Sequence, residues 1–220
     1  MLVKICGLTR PSDAALAESL GADFLGVIMA GGPRHLTEEA AAHVLGARRH
    51  GVRRAVVFGS QSREEIAGIA ERLDVEVMQL HAVVSLADIA WLERRLNCAV
   101  WPVLRVEGTT IPDDAIELGR ATGSLLLDAK VVGQLGGTGV ALDWKGLAND
   151  GLNIRRQMPT LQIILAGGLN ASNVGDARRL LSPDVVDVSS GVESAPGVKD
   201  AEKLRAFLVA ARAPLPAIND

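Results

Sequence analysis

Two ionisable side chains stand at the ends of predicted strands, where catalytic groups are often found. Cys6 follows the apolar run Leu2–Ile5 and precedes a loop that starts at Gly7, and Asp128 closes the run Ser124–Asp128. A thiolate can remove a proton and a carboxyl group can donate one, so this pair is equipped for general acid–base chemistry. Free cysteine is also among the most buried residue types. Position alone therefore does not decide whether Cys6 is a reactive thiol or a small buried side chain.

Three glycine-bearing turns follow the last three predicted strands. They are Gly136-Gly137-Thr138-Gly139, Ala166-Gly167-Gly168-Leu169-Asn170 and Ser189-Ser190-Gly191-Val192-Glu193. Glycine lets the backbone approach an anion closely, and successive N–H groups can then bind it. The turns predict a phosphate site built from Gly136, Gly137, Thr138, Gly139, Gly167, Gly168, Ser190 and Gly191. The first turn lies in the longest predicted loop, Ala129 to Asp143, which we interpret as a lid rather than a merely flexible surface loop.

The elements that must position these residues alternate along the whole chain. Eight short apolar runs predict strands, and amphipathic stretches between them predict about eight helices. The strand runs are Leu2–Ile5, Phe24–Ile28, Ala55–Phe58, Val77–Leu80, Val100–Leu104, Ser124–Asp128, Leu161–Ala166 and Val185–Ser189. Thr37, Ser62 and Ser85 stand where helix N-caps are expected, and Gly21 and Gly51 mark expected helix ends. Near-continuous apolar strands indicate a parallel sheet that is covered on both faces.

The number of βα units decides the fold class. Eight units in a chain of 220 residues predict an α/β protein with a single (β/α)8 TIM-barrel domain over residues 1–212. Residues 213–220 are predicted to form an extended C-terminal tail. A doubly wound open sheet is the alternative, but no G-x-G-x-x-G motif follows the first strand.

Alternation of side chains along a strand predicts which residues reach the barrel interior. In the first strand, Val3 and Ile5 suit the helix layer, which turns Lys4 and Cys6 inward. The same rule turns Asp128 inward, and it also turns Asp187 and Ser189 inward at the end of the eighth strand. Polar strand ends are therefore expected to meet on one rim of the barrel.

Composition limits the classes of partner. The chain is 48% hydrophobic with a net charge of −3, and no dense Lys/Arg run favours nucleic-acid binding. No apolar stretch reaches the ~20 residues that cross a bilayer, and the start lacks the apolar core of a signal peptide. Two cysteines are too few for a disulfide framework. We expect a cytoplasmic protein that needs no nucleic acid, membrane, metal ion or obligate protein partner.

Taken together, these motifs resemble the phosphoribosylanthranilate isomerase family over nearly the whole chain. The resemblance is most specific in Lys4-Ile5-Cys6-Gly7 and in Val186-Asp187-Val188-Ser189-Ser190-Gly191-Val192-Glu193. Further matches are Gly21-Ala22-Asp23, Pro33-Arg34, Gln79-Leu80-His81, Leu126-Leu127-Asp128, Asp143-Trp144, Pro196-Gly197 and Lys199-Asp200, together with the first two glycine turns. The chain departs from the family's pattern at two places, neither of which includes the proposed acid or base. The loop around Gly31–His35 is shorter and lacks a tyrosine, and Ala82 stands where glycine is usual.

The resemblance implies an Amadori rearrangement of N-(5'-phosphoribosyl)anthranilate to 1-(2-carboxyphenylamino)-1-deoxyribulose 5-phosphate, a step of tryptophan biosynthesis that uses no cofactor. It implies that Asp128 protonates the ring oxygen and that Cys6, as a thiolate, removes the proton from C2. It places Arg34 against the anthranilate carboxylate, where a guanidinium binds well. For Asp187 two roles stay possible: binding the sugar hydroxyls, or making a structural hydrogen bond. For His81 the two possible roles are a contact with the substrate and a contact with the backbone.

Both catalytic groups need tuned pKa values. The pKa of the thiol must fall from ~8.5 for it to act as a base, and that of the carboxyl group must rise. We expect Lys4, one inward layer beneath Cys6, to supply positive charge for the thiol. Desolvation in a dry mouth is expected to raise the pKa of Asp128.

Two other functions remain as alternatives. An enzyme like indole-glycerol-phosphate synthase would need a catalytic lysine at a strand end, and Lys4 is the only lysine in a predicted strand. A non-catalytic barrel that only binds a phosphorylated metabolite would not need both Cys6 and Asp128.

Overall fold

Eight parallel strands close into a barrel in the order in which they occur along the chain. The computed structural model describes residues 1–47, 51–82, 85–129 and 143–214. The barrel strands are β1 (Leu2–Ile5), β2 (Phe24–Ile28), β3 (Arg53–Phe58), β4 (Val77–Leu80), β5 (Ala99–Val106), β6 (Ser124–Ala129), β7 (Gln162–Leu165) and β8 (Val185–Val188). The helices are α1 (Pro11–Ser19), α2 (Glu38–Leu45), α3 (Arg63–Leu73), α4 (Leu86–Arg95), α5 (Ala115–Thr122), α6 (Trp144–Gln157), α7 (Val174–Leu181) and α8 (Ala201–Arg212).

The predicted TIM barrel is confirmed. All eight predicted strands occur, and every boundary lies within two residues of its prediction. Strand β3 starts earlier than predicted, at Arg53, whose guanidinium carbon lies 3.8 Å from the ring centroid of Phe24. An arginine can lie at the bottom of a barrel in this way because the aromatic face attracts its charge. The predicted tail lies mostly beyond the residues that the structure describes, since α8 ends at Arg212 and the description stops at residue 214.

The core has two layers that follow the alternation of side chains. The larger layer lies between sheet and helices and contains Val3, Ile5, Leu125, Leu127, Val186 and Val188. The smaller layer fills the barrel with Phe24, Ala55, Val77, Trp101, Leu126, Ile164, Ala166 and Val185. The predicted facing of the first, sixth and eighth strands is thus confirmed. This apolar layer closes the barrel beneath the mouth, and the inward residues above it are polar.

Local signals position most helix ends. The Ser62 side chain accepts a hydrogen bond from the Glu65 N–H, and the Glu65 carboxylate accepts one from the Ser62 N–H, so the capping box is complete. The hydroxyls of Thr37 and Ser85 cap α2 and α4 as predicted. The prediction that Gly51 ends the second helix is wrong. Helix α2 ends at Leu45, and its C-cap is Gly46, whose φ of 60° suits glycine.

A short structure after β8 was not predicted. A 3-10 helix over Ser190–Val192 leads into an antiparallel hairpin of β9 (Glu193–Ala195) and β10 (Val198–Lys199). Strands of two or three residues are too short for a periodic pattern to emerge from the sequence. The hairpin returns the chain across the rim and thereby brings Glu193 and Lys199 to the barrel mouth. Within the residues that the structure describes, no helix is long and apolar enough to cross a membrane.

Candidate active site

Lys4 lies beneath the barrel mouth and is completely buried. Its Nζ donates one hydrogen bond to Gln79 Oε1 at 2.7 Å and another to Asp187 Oδ2 at 2.8 Å. The register of β1 with β8 places Lys4 directly beside Asp187, so backbone pairing fixes this ion pair. Burial alone lowers the pKa of Lys4, but Asp187 and Cys6 outweigh it, and the pKa lies above its ordinary value. The lysine is therefore charged inside the barrel.

Cys6 follows β1 and lies one inward position above Lys4, with only 5% of its surface exposed. Gly26 of β2 makes room for both side chains. A Cβ atom there would lie 3.0 Å from Lys4 Cε and 3.3 Å from the Cys6 sulfur. Burial raises the pKa of the Cys6 thiol, and the positive charge of Lys4 offsets only part of this increase. The charge of Lys4 acts in the expected direction, but burial outweighs it, so the expectation that the thiol pKa falls below its ordinary value is wrong in this structure.

Asp128 lies at the carboxyl end of β6, two residues beyond the inward-facing Leu126. It is 6% exposed. The parallel pairing of β5 with β6 places it beside Arg105. The side chains of Asp128 and Cys6 therefore both lie on the inner face of the barrel at the same rim, as the sequence predicted. Both are shielded from bulk water.

Arg34 belongs to a buried cluster of charges at the other side of Cys6. Its Nε and Nη2 atoms donate to the two carboxylate oxygens of Glu193 at 2.8 and 2.6 Å. Lys199 donates to the same carboxylate at 2.8 Å and to the Ser189 carbonyl at 3.1 Å. Burial opposes ionisation of Glu193, but the two cations lower its pKa below the ordinary value. Sequence reasoning assigned no role to Glu193 or Lys199, because the hairpin that presents them carries no periodic signal.

Gly7 connects the Arg34 cluster to the loop that follows Cys6. Its φ of +69° lies in the left-handed region. A Cβ atom at this position would lie 2.5 Å from Arg34 Cδ and 2.7 Å from the Ser189 hydroxyl. Only glycine satisfies both the backbone angle and this close approach. The loop, Arg34 and the end of β8 are therefore packed directly against one another.

A second chain of polar contacts runs from Lys4 across β4 to β5. Gln79, which accepts from Lys4, has its amide nitrogen 2.7 Å from His81 Nε2, and Arg105 Nη2 lies 2.8 Å from His81 Nδ1. Burial, assisted by the charges of Arg105 and Lys4, lowers the pKa of His81 from 6.5 to about 3. The imidazole is therefore neutral. Gln79 and Arg105 were not predicted, although the alternation rule applied to Val77 and Val103 would have turned both inward.

The last two turns of the predicted phosphate site meet at the rim. Gly167 and Gly168 have φ angles of +84° and +64°. A Cβ atom on Gly191 would overlap the Leu169 carbonyl oxygen, so the turns after β7 and β8 can touch only through glycine. The turn Gly136-Gly137-Thr138-Gly139 and most of the predicted lid lie outside the residues that the structure describes.

Comparisons with known proteins agree with this arrangement. Residues 3–210 match the family model described as N-(5'phosphoribosyl)anthranilate (PRA) isomerase. The chain belongs to this isomerase family. A relative from Nitrobacter winogradskyi named N-(5'-phosphoribosyl)anthranilate isomerase is 41% identical, with 97% of this chain and 93% of the relative covered.

Solved structures of the family share the fold. Phosphoribosyl anthranilate isomerase from Thermus thermophilus superposes with a TM-score of 0.80 at 36% identity, covering 96% of this chain and 98% of that one. Another phosphoribosyl anthranilate isomerase, in complex with reduced 1-(o-carboxyphenylamino)-1-deoxyribulose 5-phosphate, superposes with a TM-score of 0.81 at 27% identity, with the same coverage.

Membership of the family settles the class of reaction. The chain isomerises N-(5'-phosphoribosyl)anthranilate, a phosphorylated small molecule, in tryptophan biosynthesis. The two alternatives, a synthase with a catalytic strand lysine and a non-catalytic phosphate-binding barrel, are therefore wrong.

Proposed function

We propose that this isomerase performs its Amadori rearrangement with Asp128 as the acid and Cys6 as the base. Asp128 gives its proton to the furanose ring oxygen while the bond from C1 to that oxygen breaks, leaving an iminium ion. The Cys6 thiolate then takes the proton from C2, and an enolamine forms. Return of the Cys6 proton to C1, with loss of the C2 hydroxyl proton to Asp128, gives the ketone and restores both groups.

One observation carries this proposal. Cys6 follows β1, Asp128 lies near the end of β6, and both buried side chains face the barrel interior above the apolar layer that closes it. Water is largely excluded there, which strengthens electrostatic interactions with a developing charge. Both side chains are buried and yet stand on the face of the barrel where active sites of this fold are built. The same mouth receives the ends of β7 and β8, where we place the phosphate.

Asp187 is proposed to hold a sugar hydroxyl. Its Oδ2 atom accepts from Lys4, whereas Oδ1 is buried and has no hydrogen-bond partner among the residues described by the structure. A buried carboxylate oxygen without a donor is unfavourable, and a sugar hydroxyl would supply the donor. The phosphate is proposed to bind at Gly167, Gly168, Ser190 and Gly191, together with Gly136, Gly137, Thr138 and Gly139.

His81 is proposed to donate to a substrate oxygen. The Lys4 ammonium fixes Gln79 Oε1 as an acceptor, so the Gln79 amide N–H faces His81 Nε2. Arg105 Nη2, which can only donate, lies 2.8 Å from Nδ1. A neutral imidazole has one acceptor nitrogen, so these two donors compete for it. A substrate oxygen at the rim that accepts from Arg105 would remove this competition and leave Nδ1 to carry and donate the ring proton.

Arg34 is proposed to bind the anthranilate carboxylate with the guanidinium edge that Glu193 leaves available. A guanidinium carries five N–H donors, and the bidentate contact with Glu193 uses two of them. Glu193 and Lys199 would hold the planar group in a fixed orientation, so little rotamer entropy is lost on binding.

Cys6→Ser and Asp128→Asn test the two catalytic roles. We expect each variant to lose at least about a hundredfold in kcat, which is the lower range for losing a general acid or base. The assay follows the decrease in anthranilate-type fluorescence with freshly generated substrate, and binding of the reduced product analogue serves as the control for an intact site. Full activity in either variant would remove that residue from the mechanism. No acceleration by the wild-type protein over the spontaneous reaction would overturn the proposed function itself.

The cytoplasm is proposed as the site of the reaction, because Cys6 and Cys98 are both free thiols. Reduced cysteines persist in the cytoplasm and are readily oxidised outside it. Fractionation of the source cells should recover the activity with cytoplasmic markers, and recovery with an exported fraction would contradict this.

A further inference from the structure

The Lys4 ammonium is held beside the Cys6 sulfur. An ammonium group has three N–H donors. Two of them reach Asp187 Oδ2 and Gln79 Oε1 at 2.8 and 2.7 Å. The Cys6 sulfur lies one inward position above, and a Cβ atom on Gly26 would lie 3.0 Å from Lys4 Cε and 3.3 Å from this sulfur. Two fixed hydrogen bonds hold the buried ammonium in one position, and the sulfur shares that environment.

Cations outnumber carboxylates around Cys6. Lys4 from β1, Lys199 from β10 and Arg34 from the loop after β2 are cationic. Asp187 from β8 and Glu193 from β9 are the carboxylates that pair with them. His81, which reaches the group through Gln79 of β4, is neutral. Arg105 from β5 and Asp128 from β6 also lie at this rim, and cations are in excess whether or not Asp128 carries its proton. A thiolate at Cys6 would offset part of this excess.

We propose that Lys4 is a positioning residue for the rearrangement: its ammonium donates to the Cys6 sulfur and is the counter-ion of the thiolate that removes the C2 proton. The inference rests on the proposed role of Cys6 as the base. Gln79 completes the arrangement because an amide oxygen satisfies the second donor without adding negative charge. A carboxylate at that position would compete with the thiolate for the lysine.

The chain itself makes the thiolate measurable. It contains no tyrosine and only two cysteines, so in a Cys98→Ala background the thiolate absorbance in the ultraviolet reports Cys6 without interference from tyrosinate. In this background we expect Lys4→Met to raise the titration midpoint of Cys6 by at least about one pH unit, the effect of losing a neighbouring opposite charge. Asp187→Asn removes a negative charge and should lower the midpoint. Gln79→Glu adds one and should raise it, whereas the isosteric control Gln79→Met should change it less.

The pattern of signs distinguishes a counter-ion from a merely structural residue. A general loosening of the mouth would move all midpoints in the same direction, and that result, or an unchanged midpoint in Lys4→Met, would overturn the proposal. Where Lys4→Met does not fold, Lys4→Met with Asp187→Asn removes the pair together. Comparison of this double variant with Asp187→Asn alone then isolates the lysine.

A second measurement separates this proposal from the assignment of Cys6 as the base. The limb of the kcat/KM profile against pH that titrates with Cys6 should move in Lys4→Met with the thiolate midpoint. If the midpoint moves and the rate profile does not, Lys4 is the counter-ion but Cys6 is not the base. If neither moves while Cys6→Ser is inactive, Cys6 remains the base and the role of Lys4 is wrong.

Discussion

Individual side chains in this barrel mouth are constrained by the donors and acceptors around them. Lys4 decides the orientation of the Gln79 amide, and the amide N–H then competes with Arg105 for the one acceptor nitrogen of a neutral His81. Each step is a consequence of fixed hydrogen-bond chemistry rather than of packing. The final donor, Arg105, differs from Arg34 in a decisive way. Arg34 is bound to a carboxylate, whereas Arg105 contacts a neutral imidazole, which is a weaker partner for a charged donor.

Arg105→Met is therefore expected to weaken the transition-state complex. Losing one hydrogen bond from a charged group costs about 1.5–3 kcal/mol, so kcat/KM should fall by about tenfold to a hundredfold. Steady-state kinetics with the phosphoribosylanthranilate substrate measures this. Arg95→Met is the matched control, because Arg95 lies on the neighbouring helix α4 and pairs with Glu71 at the exposed surface. Equal kinetics of the two variants would show that Arg105 makes no contact with the substrate.

Much of this residue pattern could be read from the sequence, and the limit has a physical cause. Cys6, Asp128 and Asp187 lie on strands, where a period of two fixes the direction of every side chain. The same rule could have predicted the inward positions of Gln79 and Arg105. It could not predict those of Glu193 and Lys199, because their positions depend on a hairpin of two very short strands. The sequence likewise did not predict that burial would outweigh Lys4 at the Cys6 thiol, since desolvation depends on the packed surroundings.

Among the elements of the rim, the turns after β7 and β8 act as one unit. They touch where Gly191 passes the Leu169 carbonyl, and this contact has no space for a side chain. Helix ends are set more locally. Gly46 rather than Gly51 ends α2 because the first glycine that can adopt a positive φ also completes the helix hydrogen bonds.

Gly191→Ala is expected to separate these two turns. The added methyl group must displace the Leu169 backbone, so the N–H groups proposed to bind phosphate lose their alignment. KM should therefore rise severalfold or more. The free energy of unfolding should fall by about 1–3 kcal/mol, as for other overpacking changes. Steady-state KM and urea unfolding measure the two effects. Gly175→Ala in α7 is the matched control, since a Cβ atom there meets nothing within 4 Å and alanine favours a helix. Comparable KM values in the two variants would contradict the proposed phosphate site.

For the whole molecule, barrel closure brings distant segments of the chain into one site. Pairing of β1 with β8 sets Lys4 beside Asp187, although 183 residues separate them. The apolar runs predicted the eight strands, and their number predicted closure, because the parallel order leaves the first and last strands adjacent. Stability and catalysis consequently share the same buried charges. A change at the mouth should be felt in global unfolding.

Acid stability should show this coupling through His81. In the folded chain burial, with the charges of Arg105 and Lys4, lowers the pKa of His81 from 6.5 to about 3. Between these pH values the unfolded chain binds a proton that the folded chain does not, so stability is lost as the pH falls. Relative to His81→Gln, the wild-type free energy of unfolding should fall by about 2 kcal/mol between roughly pH 7 and pH 5, because each pH unit is worth about 1.4 kcal/mol. Urea unfolding at the two pH values measures this difference, with His43→Gln on the exposed side of α2 as the matched control. A difference between wild type and His81→Gln that stays constant with pH would mean that His81 is protonated as readily in the folded chain as in the unfolded one.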